Sequence, residues 1–192
     1  MAVASLLAAP EALAQVHWDV GAQAGVVQRF QTSAAAGAPT PTPGPVGELH
    51  GHVAVVPMLR AGPYVVFDAE PLSGAGGPPP RTFLEGGLRA KLSPPLLSGP
   101  WRLWALLGLG YAWVDWPSHE QNGASAAGLE GTLLDLPFGV GTGYRVRGPH
   151  DPWEITAELG ARVGLAFFGP LYSEPARDSF ALSLSVGVSL SN

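Results

Sequence analysis

The chain has no cysteine, a single lysine and few charges of either sign: 13% of its 192 residues are Asp, Glu, Lys or Arg, against about 25% in an ordinary soluble domain. Without cysteine there is no disulfide framework, no thiolate nucleophile and no cysteine-bound metal. The arginines and Lys91 are scattered singly, which excludes a nucleic-acid surface, because such a surface needs clustered positive charge. No run approaches the roughly 18 uninterrupted apolar residues of a membrane helix, although 46% of the chain is hydrophobic. Apolar character is therefore spread along the chain, and the formal net charge is -5.

What the sequence does have is alternation. In WEITAELGARVGLAFF, residues 153 to 168, one parity carries Trp153, Ile155, Ala157, Leu159, Ala161, Val163, Leu165 and Phe167, and the other Glu154, Thr156, Glu158, Gly160, Arg162 and Gly164. A period of two is the signature of a strand, whose successive side chains point to opposite faces. The same pattern recurs over 18–30, 50–60, 63–70, 81–92, 101–114, 132–146, 153–168 and 179–191, which predicts eight strands. Long Gly/Pro-rich or polar links (GAPTPTPGPVG, LSGAGGPPP, WPSHEQNGASAAG, GPLYSEPARD) follow strands one, three, five and seven, and the shorter RAGP, SPPLLSGP and RGPHDP follow the others. Such alternation of link length belongs to an up-and-down antiparallel sheet with its long loops at one end.

Glycine position decides which face meets water. Gly21, Gly25, Gly87, Gly108, Gly110, Gly139, Gly141, Gly143, Gly160 and Gly164 share the parity of the charged residues. On a solvated face glycine only weakens a strand; lining the narrow interior of a small barrel, it makes room for the charged side chains beside it. Aromatic residues fall in two bands, Trp18, Trp101, Tyr144 and Trp153 near one end and Phe30, Tyr111, Trp113, Phe167 and Phe180 near the other, as in the girdles at membrane boundaries. The expected fold is all-β, an eight-stranded antiparallel up-and-down transmembrane β-barrel spanning residues 15–192. The opening MAVASLLAAPEALA, residues 1–14, reads as a signal peptide ending in the small-residue pattern Ala12-Leu13-Ala14.

By this pattern the chain resembles the small eight-stranded outer-membrane barrels of Gram-negative bacteria, the OmpA transmembrane domain and OmpX-like proteins. The resemblance implies a monomer in the bacterial outer membrane, in contact with its lipid and lipopolysaccharide and inserted by the barrel-assembly machinery, with no cofactor. Members of that group usually end in an aromatic residue, whereas this chain ends LSLSN.

On the inward parity lie Asp19, Arg29, Arg60, Asp68, Glu85, Arg89, Arg102, Asp135, Arg145, Glu154, Glu158 and Arg162. Closing RGPHDP with Val146 opposite Trp153 sets Arg145 against Glu154 and brings Asp135 within diagonal reach of Arg162. Buried charges persist when paired, so these residues are read as a structural polar core filling the lumen. His50 and His52 share a parity but have no carboxylate placed by spacing, and are expected to be rim residues without a metal. Ser118, His119 and Glu120 are adjacent in a loop, and adjacency does not make a catalytic triad. The expected function is structural or surface-binding, with four extracellular loops on a rigid barrel. The alternatives are an outer-leaflet lipid-modifying enzyme (a lipid A acylase or deacylase), a narrow ion pore, and a soluble lipocalin-like barrel.

Overall fold

The computed structural model describes residues 16–31, 42–71, 79–95, 99–116, 118–121, 124–126, 129–147, 150, 152–168 and 179–192. The segment read as a signal peptide lies outside them. The strands are β1 (Trp18–Gln31), β2 (Gly44–Val56), β3 (Leu59–Glu70), β4 (Arg81–Leu92), β5 (Trp101–Trp116), β6 (His119–Gln121), β7 (Ala124–Ala126), β8 (Leu129–Arg145), β9 (Trp153–Phe168) and β10 (Ser179–Ser191). Eight of them close into a barrel in the order β1-β10-β9-β8-β5-β4-β3-β2, while β6 and β7 form a separate hairpin in the connection between β5 and β8. Closure joins β1 to β10 without a break from Asp19↔Ser191 to Gln31↔Ser179. Asn192 prolongs that seam: its Oδ1 accepts from the Trp18 backbone N–H at 2.8 Å and its Nδ2 donates to the Val16 carbonyl at 3.1 Å. A closed barrel leaves no sheet edge, so its backbone groups are satisfied within the wall.

The side chains are sorted inside out relative to a soluble protein. Leu88 and Leu107 on the outer face are 67% and 66% exposed, while Asp68 and Glu85 inside are 0% and 1% exposed. The barrel strands run from 12 to 17 residues, longer than the roughly 9 to 11 that a tilted strand needs to cross hydrocarbon. An apolar exterior on strands of this length is a membrane-spanning wall, and it overturns the lipocalin-like alternative, whose apolar face would point inward.

Two boundaries differ from the sequence reading. The link between the second and third strands is the tight Pro57-Met58 turn, and RAGP belongs to β3, where Arg60 to Pro63 pair with Lys91 to Leu88. A Gly-Pro pair imitates a turn; here the missing proline N–H falls on the β2 side, where the ladder is interrupted between His50↔Tyr64 and Val53↔Ala61. β2 also starts at Gly44, well before the expected residue 50, because Gly44 to Glu48 pair with Val27 to Gln23 despite their Gly/Pro-rich composition.

Inward glycines are niches for large neighbours. The Trp104 indole lies over Gly141, the Tyr64 hydroxyl over Gly110 and the Glu154 carboxylate over Gly143, each where an added Cβ would stand. Gly160 is different: a Cβ there meets only the Ser183 hydroxyl closely, and the residue borders a cavity of about 30 Å³. Gly141→Val is therefore expected to lower stability by about 1 to 3 kcal/mol through overpacking against Trp104. Gly160→Ala should stay within about 0.5 kcal/mol of the parent. Urea titration of both variants in micelles checks the difference.

Candidate functional site in the barrel lumen

Charged side chains converge inside the barrel in three layers. In the layer nearest the long loops, Asp68 on β3 accepts from Arg29 on β1 (2.8 Å) and from Arg162 on β9 (3.0 Å). Arg162 also donates to Glu85 on β4 at 3.1 Å, and Asp135 on β8 lies beside Glu85 and Arg162. Glu70 and Arg81, directly opposite in register, form a further ion pair above this group. Apolar side chains flank it: Val27, Val46, Val66 and Ala181 with Tyr64 on one side, Phe83, Ala112, Val114 and Leu133 on the other. The Arg29 guanidinium carbon sits 3.5 Å from the centroid of the Phe83 ring, a cation–π contact.

In the middle layer Glu48 is bridged to Arg89 and to His50, the latter at 2.9 Å. Gln23 donates to Glu158 at 3.3 Å and accepts from Ser185 at 2.6 Å. Near the short turns, Asp19 takes His52 on one oxygen (2.7 Å) and Arg60 (2.7 Å) and Lys91 (3.4 Å) on the other. Arg145 faces Glu154 in register, and Glu154 stands 3.8 Å from both Arg145 and Arg102. Among the described residues, the inward acids (Asp19, Glu48, Asp68, Glu70, Glu85, Asp135, Glu154, Glu158) and bases (Arg29, Arg60, Arg81, Arg89, Lys91, Arg102, Arg145, Arg162) are equal in number. A lumen so composed is neutral as a whole, and breaking one pair leaves a buried charge uncompensated.

Asp68, Glu85, Arg89, Asp135, Arg145, Glu154, Glu158 and Arg162 are all buried in this interior, and Arg102 stands half-exposed at the short-turn mouth. Glu48, Glu70, Arg81 and Lys91 join them although the sequence reading did not place them in the core. Strand parity is enough to find Glu70, Arg81 and Lys91; Glu48 was hidden in a segment read as loop.

His50 and His52 are not rim residues, as the sequence suggested, but are buried at 8% and 2% exposure, because β2 begins earlier and carries them deeper into the barrel. With Asp19 they bring ligand-type atoms within 4.8 Å of one another. Both nitrogens of His52 are engaged, however: Arg89 Nε donates to Nε2 at 3.1 Å, which fixes Nδ1–H as the donor to Asp19. With Arg60 and Lys91 also on Asp19, a divalent cation would meet fixed positive charge beside each ligand, and the group does not fit a metal.

The aromatic residues of the outer wall stand at its two ends. Trp101 and Tyr144 pair at 4.9 Å between ring centroids at the short-turn end, with Trp18 and Trp153 in the same band. Phe30 and Phe180 pair at 6.0 Å toward the long loops, in the band that includes the exposed Tyr111 and Trp113. The Phe167 side chain, and those of His119 and Glu120 in β6, lie outside the described residues.

No family model matches the sequence, and no curated protein matches it. Solved structures do. A major outer membrane protein from Thermus thermophilus superposes with a TM-score of 0.60 at 15% identity, covering 93% of this chain and 100% of that one. Neisserial surface protein A gives 0.54 at 18% identity over 90% and 96% of the two chains. Ail, the attachment invasion locus protein of Yersinia pestis, gives 0.53 at 10% identity over 92% and 99%. This is the fold of the small outer-membrane β-barrels. In such barrels the short turns face the periplasm and the longer loops the exterior.

Proposed function

We propose that this outer-membrane barrel is a structural and surface-binding scaffold whose working surface is the end bearing the four long connections. The observation that carries the reading is the filled lumen. Balanced ion pairs and two apolar clusters occupy the interior, and two cavities between them measure only about 30 and about 10 Å³. A plugged interior offers no route for solutes, and loops held on a rigid frame are where recognition concentrates. An outer-leaflet lipid-modifying enzyme would need a histidine base near the long-loop rim. Of the five histidines, His17, His50, His52 and His150 lie toward the short-turn half, which leaves His119 in β6. Its chain neighbours Ser118 and Glu120 do not make a triad with it by adjacency, since a triad is defined by geometry and not by proximity in sequence.

Orientation and plugging are tested together. Because the native chain lacks cysteine, Ser33→Cys in the first long connection and Met58→Cys in a short turn give clean reporters. On intact cells a membrane-impermeant maleimide should label the first and spare the second until the envelope is opened. In liposomes the parent should release no trapped sugar. Labelling of Met58→Cys from outside, or steady sugar efflux, would sink the reading.

A further inference from the structure

The outward face of the barrel is not evenly filled. Across β5, β8 and β9 a hollow of about 520 Å³ opens in the wall, lined by the small side chains of Ala105, Thr142 and Ala157 and by the larger ones of Leu103, Leu159 and Leu184. Register accounts for its shape. Leu103, Thr142 and Ala157 form one row across the three strands and Ala105, Val140 and Leu159 the next, so the small residues meet among taller neighbours. Trp104 and Glu158 also border the hollow, but their side chains are buried on the lumen side, at 4% and 7% exposure. The one outward polar side chain, Thr142, donates its hydroxyl to the Arg102 carbonyl at 3.0 Å, so it is spent within the wall. Two residues nearer the short turns stand Trp101 and Tyr144, opposite each other in register with their rings 4.9 Å apart. The hollow therefore begins one row, roughly 7 Å along the strand, inside the aromatic band that marks the membrane boundary.

This hollow is continuous with the lipid-facing wall, and an unfilled concavity there forfeits the dispersion contacts of its lining. A second copy of the barrel would present another convex wall, which meets the leucine ridges and stops short of the floor. A single flexible hydrocarbon chain reaches it. We propose that the hollow is a binding site for one glycerophospholipid, with an acyl chain lying over Ala105, Thr142 and Ala157 and the ester and headgroup region held at the boundary by the Trp101 indole N–H and the Tyr144 hydroxyl. Shape is the selecting principle, because within hydrocarbon an apolar surface gains from packing and hydrogen bonds and not from leaving water. The choice of a phospholipid over lipid A rests on the orientation proposed above, with the short turns toward the periplasmic leaflet. The hollow itself does not depend on that orientation, nor on what the long loops bind.

The test is native mass spectrometry of the refolded full chain, released from nonionic detergent micelles containing palmitoyl-oleoyl phosphatidylethanolamine. A single lipid adduct that reaches a plateau as the lipid is raised is the expected result. Ala157→Leu fills the floor from the lipid side and touches no charge of the lumen, and it should abolish the plateau; Ala105→Leu should do the same. Val53→Phe enlarges the exposed outer face of β2, directly across the barrel from β8, and should leave the plateau unchanged. A ladder of adducts with no plateau at one, a plateau that both alanine variants keep, or a protein dimer in place of the adduct would overturn the site. From an equimolar mixture with lipid A the phospholipid should be the one retained, and retention of lipid A instead would overturn the choice of occupant. Labelling of Met58→Cys reports a failed orientation separately, and the titration of the parent alone judges the hollow if a variant does not fold.

Discussion

Leu159→Arg is expected to lower the stability of the barrel in a bilayer by about 2 to 4 kcal/mol, the cost of an arginine facing lipid near the midplane. Leu159 lies midway along β9, pairs with Val140 on one side and Leu184 on the other, and all three side chains are more than half exposed. These outward neighbours are apolar and offer a guanidinium no acceptor, and the middle of the strand is too far from either boundary for easy snorkelling. The measurement is urea unfolding in phosphatidylcholine vesicles, followed by the heat-dependent shift on a gel. Leu159→Met serves as the volume control and should stay within about 1.5 kcal/mol. A parent-like midpoint for Leu159→Arg would mean that the assignment of inner and outer faces is wrong.

Asp68→Ala should cost more, about 3 to 5 kcal/mol, because it removes one partner from a buried ion-pair network and takes a shared acceptor from two guanidiniums at once. Asp68 is fully buried and receives both Arg29 and Arg162. Arg162 keeps Glu85 as a second partner, while the bond from Arg29 to Asp68 is lost with the carboxylate. Removing the charges together, in Arg29→Met with Asp68→Ala, should therefore recover part of the loss. A coupling energy above about 1 kcal/mol in the double-mutant cycle is expected for groups in one network. Additive losses would show that the layer is not an interdependent set of ion pairs.

Most of the wall was legible in the sequence, for a simple reason. Strand parity is a local property: once Leu159 faces lipid, Glu158 and Gly160 must face the interior, whatever the rest of the chain does. Boundaries were less legible where glycine and proline carried two meanings. Gly62 and Pro63 are turn residues by composition but sit inside β3, at a gap in the ladder. Pro45 likewise lies within β2, so Glu48 was read as loop and its partnership with Arg89 and His50 went unseen. The filling of the lumen was only half legible. Phe83, Leu133 and Val114 share the parity of the charges, yet nothing local shows that they meet as an apolar cluster beside Arg29 and Asp68.

The number of barrel strands, their up-and-down order, the face of each strand that meets lipid and the charges that must be hidden inside were all settled by the order of residues, because they follow from period two and from link length. Which charge pairs with which was settled by the folded barrel. Asp68 finds Arg29 across 39 residues and Arg162 across 94, from strands that are not its ladder neighbours. Those contacts span the lumen, and what brings their strands to face one another is the stagger with which the sheet closes on itself, a global quantity that no local pattern records.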